Sequence, residues 1–172
     1  LAAHPDTCRV AYWHHPRFSS SKNYGNAQFM QPISQALTEA GTEIILAGHS
    51  HSYERFARLD ADGQPDADAP RYFTVGTGGT FPRGFGRVQS GSEVRKSGVY
   101  GVLELTLEVD RWSWNFQAEG GSFTDEVATL LAANGLNAEI RSIGLGNGAV
   151  LADLDLVDDG IANNSAERVL TP

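Results

Sequence analysis

The stretch on which the predicted fold depends is Gly48-His49-Ser50-His51, together with the earlier His14-His15-Pro16. Each histidine cluster directly follows a short apolar run, residues 10–13 before the first and residues 44–47 before the second. Apolar runs of roughly four to eight residues bounded by breakers are typical of strands covered on both faces. Because ligands of open α/β sheets bind at the carboxyl ends of strands, both clusters are predicted to form one metal site.

A helix is predicted between the two strands, from about Gln31 to Ala40. Pro32 suits its first turn and Gly41 suits its end. The spacing i, i+3, i+4, i+7 predicts one buried face, made of Ile33, Ala36, Leu37 and Ala40. A connection through this helix predicts that the two strands run parallel.

The middle of the chain predicts more strands, at residues 55–59 and 71–75. Alternation over residues 99–109 and 111–118 predicts an antiparallel hairpin. Residues 80–97 are predicted to be an irregular surface loop. In the second half of the hairpin every second residue is aromatic, which defines an aromatic stripe of Trp112, Trp114 and Phe116. Such a stripe could be a binding platform but is more typical of core packing.

Two loops border the predicted site. Residues 17–26 are predicted to be a polar loop at its rim. Gly76-Thr77-Gly78-Gly79 is rich in glycine, and such loops can bring backbone N–H groups to a phosphate. Because neither a helix start nor a lysine follows, we interpret this stretch as a tight turn where backbone passes close to the site.

Length and charge indicate one domain with an extension. The formal net charge is −8; residues 1–124 hold 13 acidic and 11 basic side chains, whereas residues 125–172 hold 8 acidic and 2 basic. Without a basic face, neither nucleic acid nor an anionic membrane is an expected partner. No apolar run approaches the roughly 20 residues of a membrane span, and the start at Leu1 shows no signal-peptide pattern.

The composition changes near residue 124. Residues 1–124 are predicted to hold the main domain. Residues 125–172 are predicted to be an acidic extension or linker, or the start of another module. Within this extension, Asp125 to Asn134 suits a short helix that ends at Asn134-Gly135.

The histidines are candidate metal ligands, because neutral imidazole commonly binds zinc, iron and manganese. His49 and His51 can aim two rings at neighbouring positions, and a histidine from the adjacent strand end can add a third. Taken singly, each would more often be an ordinary loop histidine or a turn cap. Their position at equivalent ends of successive strands favours a metal site.

Three segments carry a resemblance to a known family: residues 12–20, residues 47–55 with the Gly-His-x-His-x-Tyr-Glu-Arg element, and residues 74–79. Together they resemble the carboxyl-terminal half of a calcineurin-like metallophosphoesterase, closest to the purple-acid-phosphatase-like branch of secreted bacterial proteins. The resemblance covers about residues 8–124. It implies an α/β fold in which a β-sandwich with a mixed sheet is flanked by helices.

The resemblance also implies a site with two metal ions, divalent or of mixed valence, with Fe, Zn or Mn as the candidates. His14 and His49 would bind one ion and His51 the other. His15 would donate a proton to a phosphate oxygen or leaving group, or would face away into the structure. The implied reaction is hydrolysis of a phosphate ester of a small molecule, a monoester rather than a diester, in a secreted or extracellular protein of bacterial type.

The sequence departs from the family pattern in its other ligands. The family also uses Asp-x-His, Gly-Asp and Gly-Asn-His-Asp/Glu elements, whereas Gly25-Asn26 is here followed by Ala27. Asn23 and Tyr24 stand where purple acid phosphatases tend to carry a histidine pair. We therefore expect at most one metal ion or a partial site, a missing amino-terminal half as partner, and an inactive or nearly inactive isolated chain. The alternative is a non-catalytic metal-binding or interaction module.

Overall fold

The computed structural model describes residues 9–108, 111–130 and 139–140. The first of its two sheets contains five strands, which are β1 (Val10–Trp13), β2 (Ile44–Ala47), β3 (Tyr53–Arg58), β4 (Arg71–Val75) and β5 (Ser92–Lys96). Their order across the sheet is β1-β2-β4-β3-β5. One turn of 3-10 helix (Gln28–Met30) and helix α1 (Gln31–Glu39) connect β1 to β2.

The strand directions confirm the predicted mixed sheet. β1, β2 and β4 are parallel, and β3 runs antiparallel to β4 and β5. The predicted crossover through α1 is therefore confirmed. Because Trp13 pairs with Ala47 at the ends of β1 and β2, the two histidine clusters leave the same edge of the sheet.

The second sheet is an antiparallel meander of four strands, which are β6 (Gly101–Leu107), β7 (Arg111–Ala118), β8 (Glu126–Leu130) and β9 (Glu139–Ile140). The predicted hairpin corresponds to β6 and β7 and is confirmed. The two sheets together bear out the predicted α/β class. Among the described residues, no helix is both long and apolar enough to cross a membrane.

Two predicted elements are wrong. The helix predicted from Asp125 to Asn134 is a strand over residues 126–130, and residues 131–134 lie outside the described residues. The loop predicted over residues 80–97 contains β5. In both cases pairing with β7 or β3 decides the conformation, because a strand's stability depends more on its neighbours than on local propensity. The predicted domain boundary after residue 124 stays a prediction.

The main core lies between the two sheets. Ile44 and Phe73 of the first sheet pack there against the aromatic stripe of β7. The stripe is buried, with Trp112, Trp114 and Phe116 exposing 1%, 3% and 0% of their surface. The prediction that these aromatic residues form core rather than a binding platform is confirmed.

A second core cluster lies on the opposite face of the first sheet, where Ile45 and Tyr72 pack with Phe18. The face that α1 buries differs from the predicted one. Ser34 is fully buried and Leu37 packs against this cluster, whereas Ile33 is about half exposed. A small residue at position 34 lets the helix lie close to the sheet, so packing distance rather than hydrophobicity sets its orientation.

Candidate metal centre

Tight turns after β1 and β2 position the histidines. The Gly48 N–H donates to the His14 carbonyl at 3.1 Å, which ties the two strand ends together. Beyond it, the Ser50 N–H donates to the Gly48 carbonyl at 2.6 Å. His49 has φ of 58°, a left-handed conformation that residues other than glycine rarely adopt. Such strained backbone is concentrated at functional sites.

Three histidines come together at this edge. The ligand nitrogens of His14, His15 and His49 all lie within 4.8 Å of one another. His49 Nδ1 lies 3.0 Å from His14 Nε2, and the His15 and His49 ring centroids are 4.3 Å apart. Three imidazoles are a common donor set for zinc in sites that keep an open coordination position.

The environment of His49 favours its neutral form. Burial lowers the pKa of His49 below its ordinary value, and the charges of His15, His14 and His51 lower it further. The neutral imidazole is the form that binds a metal ion. At neutral pH a metal ion therefore has to displace a proton from a smaller fraction of the His49 rings.

His51 lies apart from this group. Its Nδ1 is 3.1 Å from the carbonyl oxygen of Phe81, and since a carbonyl only accepts, Nδ1–H is the donor and Nε2 is left available as a ligand. The ring of Tyr24 is close to both His49 and His51, with its centroid 4.3 Å from that of His49 and 5.6 Å from that of His51.

The predicted site residues are thus only partly brought together. His14 and His49, predicted to share one ion, are in contact, and His51, predicted to bind the other ion, lies outside the three-histidine group. His15, predicted only as a possible proton donor, lies within the three-histidine group. The assignment of ligands and of a catalytic role stays a prediction.

The polar rim predicted for residues 17–26 is wrong for the first half of that range, whereas residues 22–26 are exposed or half-buried. Residues 17–21 are buried. Ser19 Oγ is 2.9 Å from Ser50 Oγ, and the Ser20 N–H donates to Glu54 Oε2 at 2.8 Å. Serines fit here because their hydroxyl and amide groups bind the histidine loop and the next strand.

Glu54 is a structural residue beside the site. It is fully buried, and its second oxygen accepts from the Ser92 hydroxyl at 2.5 Å. Because both carboxylate oxygens are engaged by serines, Glu54 braces the loop and is not a member of the histidine group. Ser20 and Ser92 are distant from Glu54 in sequence, so the pairing is a property of the folded chain.

The glycine-rich turn makes the predicted close approach. The Gly76 N–H donates to the Ser52 carbonyl at 3.2 Å, and a Cβ at Gly76 would lie 2.0 Å from the Ser50 carbonyl oxygen. The Arg83 N–H donates to the His51 carbonyl at 2.7 Å. The predicted close approach of this backbone to the site is confirmed.

Comparisons with known proteins agree with this geometry. The chain is 33% identical over 129 residues to "Purple acid phosphatase 21" of Arabidopsis thaliana, covering 69% of this chain and 29% of that protein. It is 38% identical over 72 residues to "Purple acid phosphatase 15" of the same plant, covering 41% of this chain and 13% of that protein. The chain therefore spans less than a third of the length of these relatives. No family model matches it.

The fold is also similar to a solved structure. A purple acid phosphatase isolated from yellow lupin (Lupinus luteus) seeds superposes with a TM-score of 0.58 at 14% identity, over 66% of this chain and 23% of that one. At this identity the likeness concerns the fold, while the curated relatives supply the sequence relationship. The chain carries a calcineurin-like region of the purple-acid-phosphatase type.

Proposed function

We propose that this chain supplies the histidine side of a metal-dependent phosphoesterase site that hydrolyses phosphate monoesters. The observation that carries the proposal is the group formed by His14, His15 and His49 at the carboxyl ends of β1 and β2. A metal ion bound there would clamp the phosphate and lower the pKa of a bound water, which supplies the nucleophile. His15 would hold an ion or hydrogen-bond to the ester. Secretion of the protein is part of the same proposal.

The donor set fits one ion better than two. Within the described residues, the group of ligand atoms contains three imidazoles and no carboxylate. Two-metal sites hold their ions about 3.5–4 Å apart, an arrangement that needs bridging ligands. His51 keeps Nε2 available for a second ion, whose remaining ligands would come from an amino-terminal half. The isolated chain is therefore proposed to bind one ion and to be nearly inactive.

An apolar cleft supports the amino-terminal half as the partner. The cleft has a volume of about 350 Å³ and is lined by residues of β1, β2 and β6, including Tyr12, Leu46 and Val102. β1 and β6 each lie at the edge of their sheet. Because the chain spans only 29% of the length of Purple acid phosphatase 21, we propose that another part of the same domain occupies this cleft.

Replacing His49 with asparagine is the experiment that tests the site. Asparagine tolerates the left-handed backbone at this position but removes the imidazole. Loss of one of the three ligands should weaken zinc binding by about a hundredfold. Mutation of a residue that only hydrogen-bonds to a metal ligand can already cost about that much. His51→Asn is the matched control and should change zinc affinity by no more than about threefold. Isothermal titration calorimetry measures both.

The outcomes separate the proposal from its competitors. Equal losses in both variants would place His51 on the same ion and contradict the one-ion group. No saturable zinc binding by the parent chain would refute the metal site itself. Turnover of p-nitrophenyl phosphate well above background by the isolated chain would show that the ligands present suffice for catalysis.

The alternative is a non-catalytic metal-binding or interaction module, to which the described group without a bridging carboxylate is also suited. A catalytic site keeps an open coordination position, whereas a structural site is closed. Orthovanadate, a phosphate mimic, should therefore bind the zinc-loaded chain if the site is of the hydrolytic type. Zinc binding without any vanadate binding would favour the module.

A further inference from the structure

The turn that follows β1 is held at three successive carbonyl groups. The His14 carbonyl accepts from the Gly48 N–H at 3.1 Å. The carbonyl of the proline two residues on accepts from the Ala27 N–H at 3.0 Å. Between them, the His15 carbonyl accepts from the indole Nε1–H of Trp13 at 2.7 Å. This last donor is a side chain, so a substitution can remove it and leave both backbone donors in place.

Trp13 is itself fixed at both ends of its side chain. It is the last residue of β1 and pairs with Ala47 of β2, so the sheet holds its backbone. Its half-buried ring packs against the core cluster that contains Phe18 and Ile45. A tryptophan offers a large apolar body together with one N–H donor, and here both are engaged. The indole is therefore a rigid donor for the residue two positions further along the chain.

The convergence of His14 and His15 requires a turn in the backbone. Adjacent residues of an extended strand point to opposite faces, yet the ligand nitrogens of these two histidines lie within 4.8 Å of each other. The chain bends at both residues, directly after the end of β1. The Trp13 hydrogen bond spans this bend, because it joins the last strand residue to the His15 carbonyl.

The bond from Trp13 acts on the backbone of His15 and thereby on its ring. The ring centroid of His15 lies 4.9 Å from that of His14 and 4.3 Å from that of His49. An imidazole turns about only two side-chain torsions with a few preferred values, so the position of the ring follows from that of its peptide. Groups that form a binding site have to be held within about 0.5 Å of their productive positions by the residues around them.

We infer, on the basis of the proposed metal site, that Trp13 is a positioning residue that holds His15 as the third imidazole of the three-histidine group. Trp13 does not contact the ion. Its indole N–H fixes the bend that brings two consecutive histidines to the same side, where His49 meets them. Without this donor, His14 and His49 remain as a pair, and His15 is no longer held beside them.

Trp13→Phe keeps an aromatic ring at the end of β1 and removes the N–H donor. We expect it to weaken zinc binding about tenfold, as measured by isothermal titration calorimetry. Mutation of a residue that hydrogen-bonds to a metal ligand typically costs about 10–100-fold in affinity, and the lower end applies because this bond is to the backbone of the ligand. 3-Benzothienylalanine at position 13 has the shape of tryptophan with sulfur in place of the N–H, and it should weaken zinc binding to the same extent.

A double-mutant cycle separates positioning from packing. If Trp13 acts through His15, Trp13→Phe should change the zinc affinity of a His15→Asn chain by less than about twofold. A residue that only stabilises the core would weaken zinc binding equally in the presence and in the absence of the His15 imidazole. Equal losses in the two backgrounds would therefore overturn the positioning role.

Nitrogen-15 NMR of the histidine rings identifies the ligands directly. In the zinc-loaded parent chain, the rings of His14, His15 and His49 should each show one nitrogen with the chemical shift of a metal-bound imidazole. In Trp13→Phe, the His15 ring should show the shifts of a free imidazole, while the other two stay metal-bound. A His15 ring that remains metal-bound in this variant would contradict the role of Trp13.

Trp112→Phe is the matched control, because it makes the same chemical change at a buried tryptophan. Trp112 pairs with Leu107, at the end of the hairpin away from Gly101, and among the described residues its Nε1–H has no hydrogen-bond partner. Zinc affinity should stay within about twofold of the parent.

The same titrations distinguish failure of the positioning role from failure of the proposed function. Unchanged zinc affinity in Trp13→Phe, together with a loss in His15→Asn, would overturn the positioning role alone. Unchanged affinity in His15→Asn would refute the three-histidine group on which the proposed function depends, and the role of Trp13 with it.

Discussion

Replacing Gly76 with alanine is expected to lower the free energy of unfolding by about 3 kcal/mol or more and to weaken zinc binding in the same protein. The added Cβ would lie 2.0 Å from the Ser50 carbonyl oxygen and 2.7 Å from the Ser50 carbonyl carbon. These are backbone atoms, so no rotamer change relieves the overlap. The loop cannot simply withdraw, because the buried Ser50 hydroxyl is in hydrogen-bond contact with Ser19.

Gly78→Ala is the matched control for this variant. A Cβ at Gly78 meets no atom within 4 Å, so its unfolding free energy should stay within about 0.5 kcal/mol of the parent. Urea denaturation followed by tryptophan fluorescence measures both variants. If Gly76→Ala were as stable as Gly78→Ala, the close approach between the glycine-rich turn and the histidine loop would be refuted.

Replacing Asp125 with alanine is expected to cost about 3 kcal/mol of stability, the lower end of the cost of breaking a buried ion pair. Asp125 accepts hydrogen bonds from the Tyr53 hydroxyl at 2.6 Å and from Arg55 Nε at 2.8 Å, and all three residues are buried. Without the carboxylate, a phenol and a guanidinium lose their partner. The cost stays at the lower end because Arg55 also pairs with Glu93.

The pKa shifts show the same coupling. Burial raises the pKa of Tyr53 far above its ordinary value, and the charge and hydrogen bond of Asp125 raise it further. Burial alone would lower the pKa of Arg55, but the hydrogen bond and the charge of Asp125 outweigh it and raise the pKa. Tyr53 and Arg55 therefore keep the protonation states in which they donate to Asp125 throughout the neutral range.

Controls for Asp125 follow from the same contacts. Asp125→Asn keeps an acceptor oxygen and should lose only about half as much stability, whereas the exposed Glu119→Ala should lose less than about 0.5 kcal/mol. Thermal and urea denaturation measure the three variants. A loss below about 1 kcal/mol for Asp125→Ala would contradict the buried pair. It would also support the predicted boundary, which places residue 125 outside the main domain.

Local patterns predicted the elements whose conformation depends on their own residues. The apolar runs at residues 10–13 and 44–47 gave β1 and β2, and Pro32 and Gly41 marked the two ends of α1. The alternation before and after Asp110 predicted β6 and β7. These signals are local: apolar runs and alternation mark strands, and Pro32 and Gly41 mark the ends of a helix, although the face that α1 buries was not predicted.

Other elements could not be predicted because their conformation depends on contacts with segments that are distant in the sequence. Residues 92–96 and 126–130 lack a strong apolar pattern and form strands by pairing with β3 and β7. Ser19 and Ser20 look like part of a solvated loop, yet both are buried and form hydrogen bonds with Ser50 and Glu54. Most buried polar groups have a hydrogen-bond partner, and where that partner is distant along the chain the sequence does not show it.

The sequence by itself determined that His14 and His49 share one edge of a parallel sheet, since the strands before them and the crossover between them are local features. Only the tertiary structure decided which imidazoles meet. With the left-handed backbone of His49, its ring meets those of His14 and His15, and the Phe81 carbonyl contacts the His51 ring. Ring positions depend on backbone torsions and on contacts between segments about 30 residues or more apart, and these are properties of the folded chain.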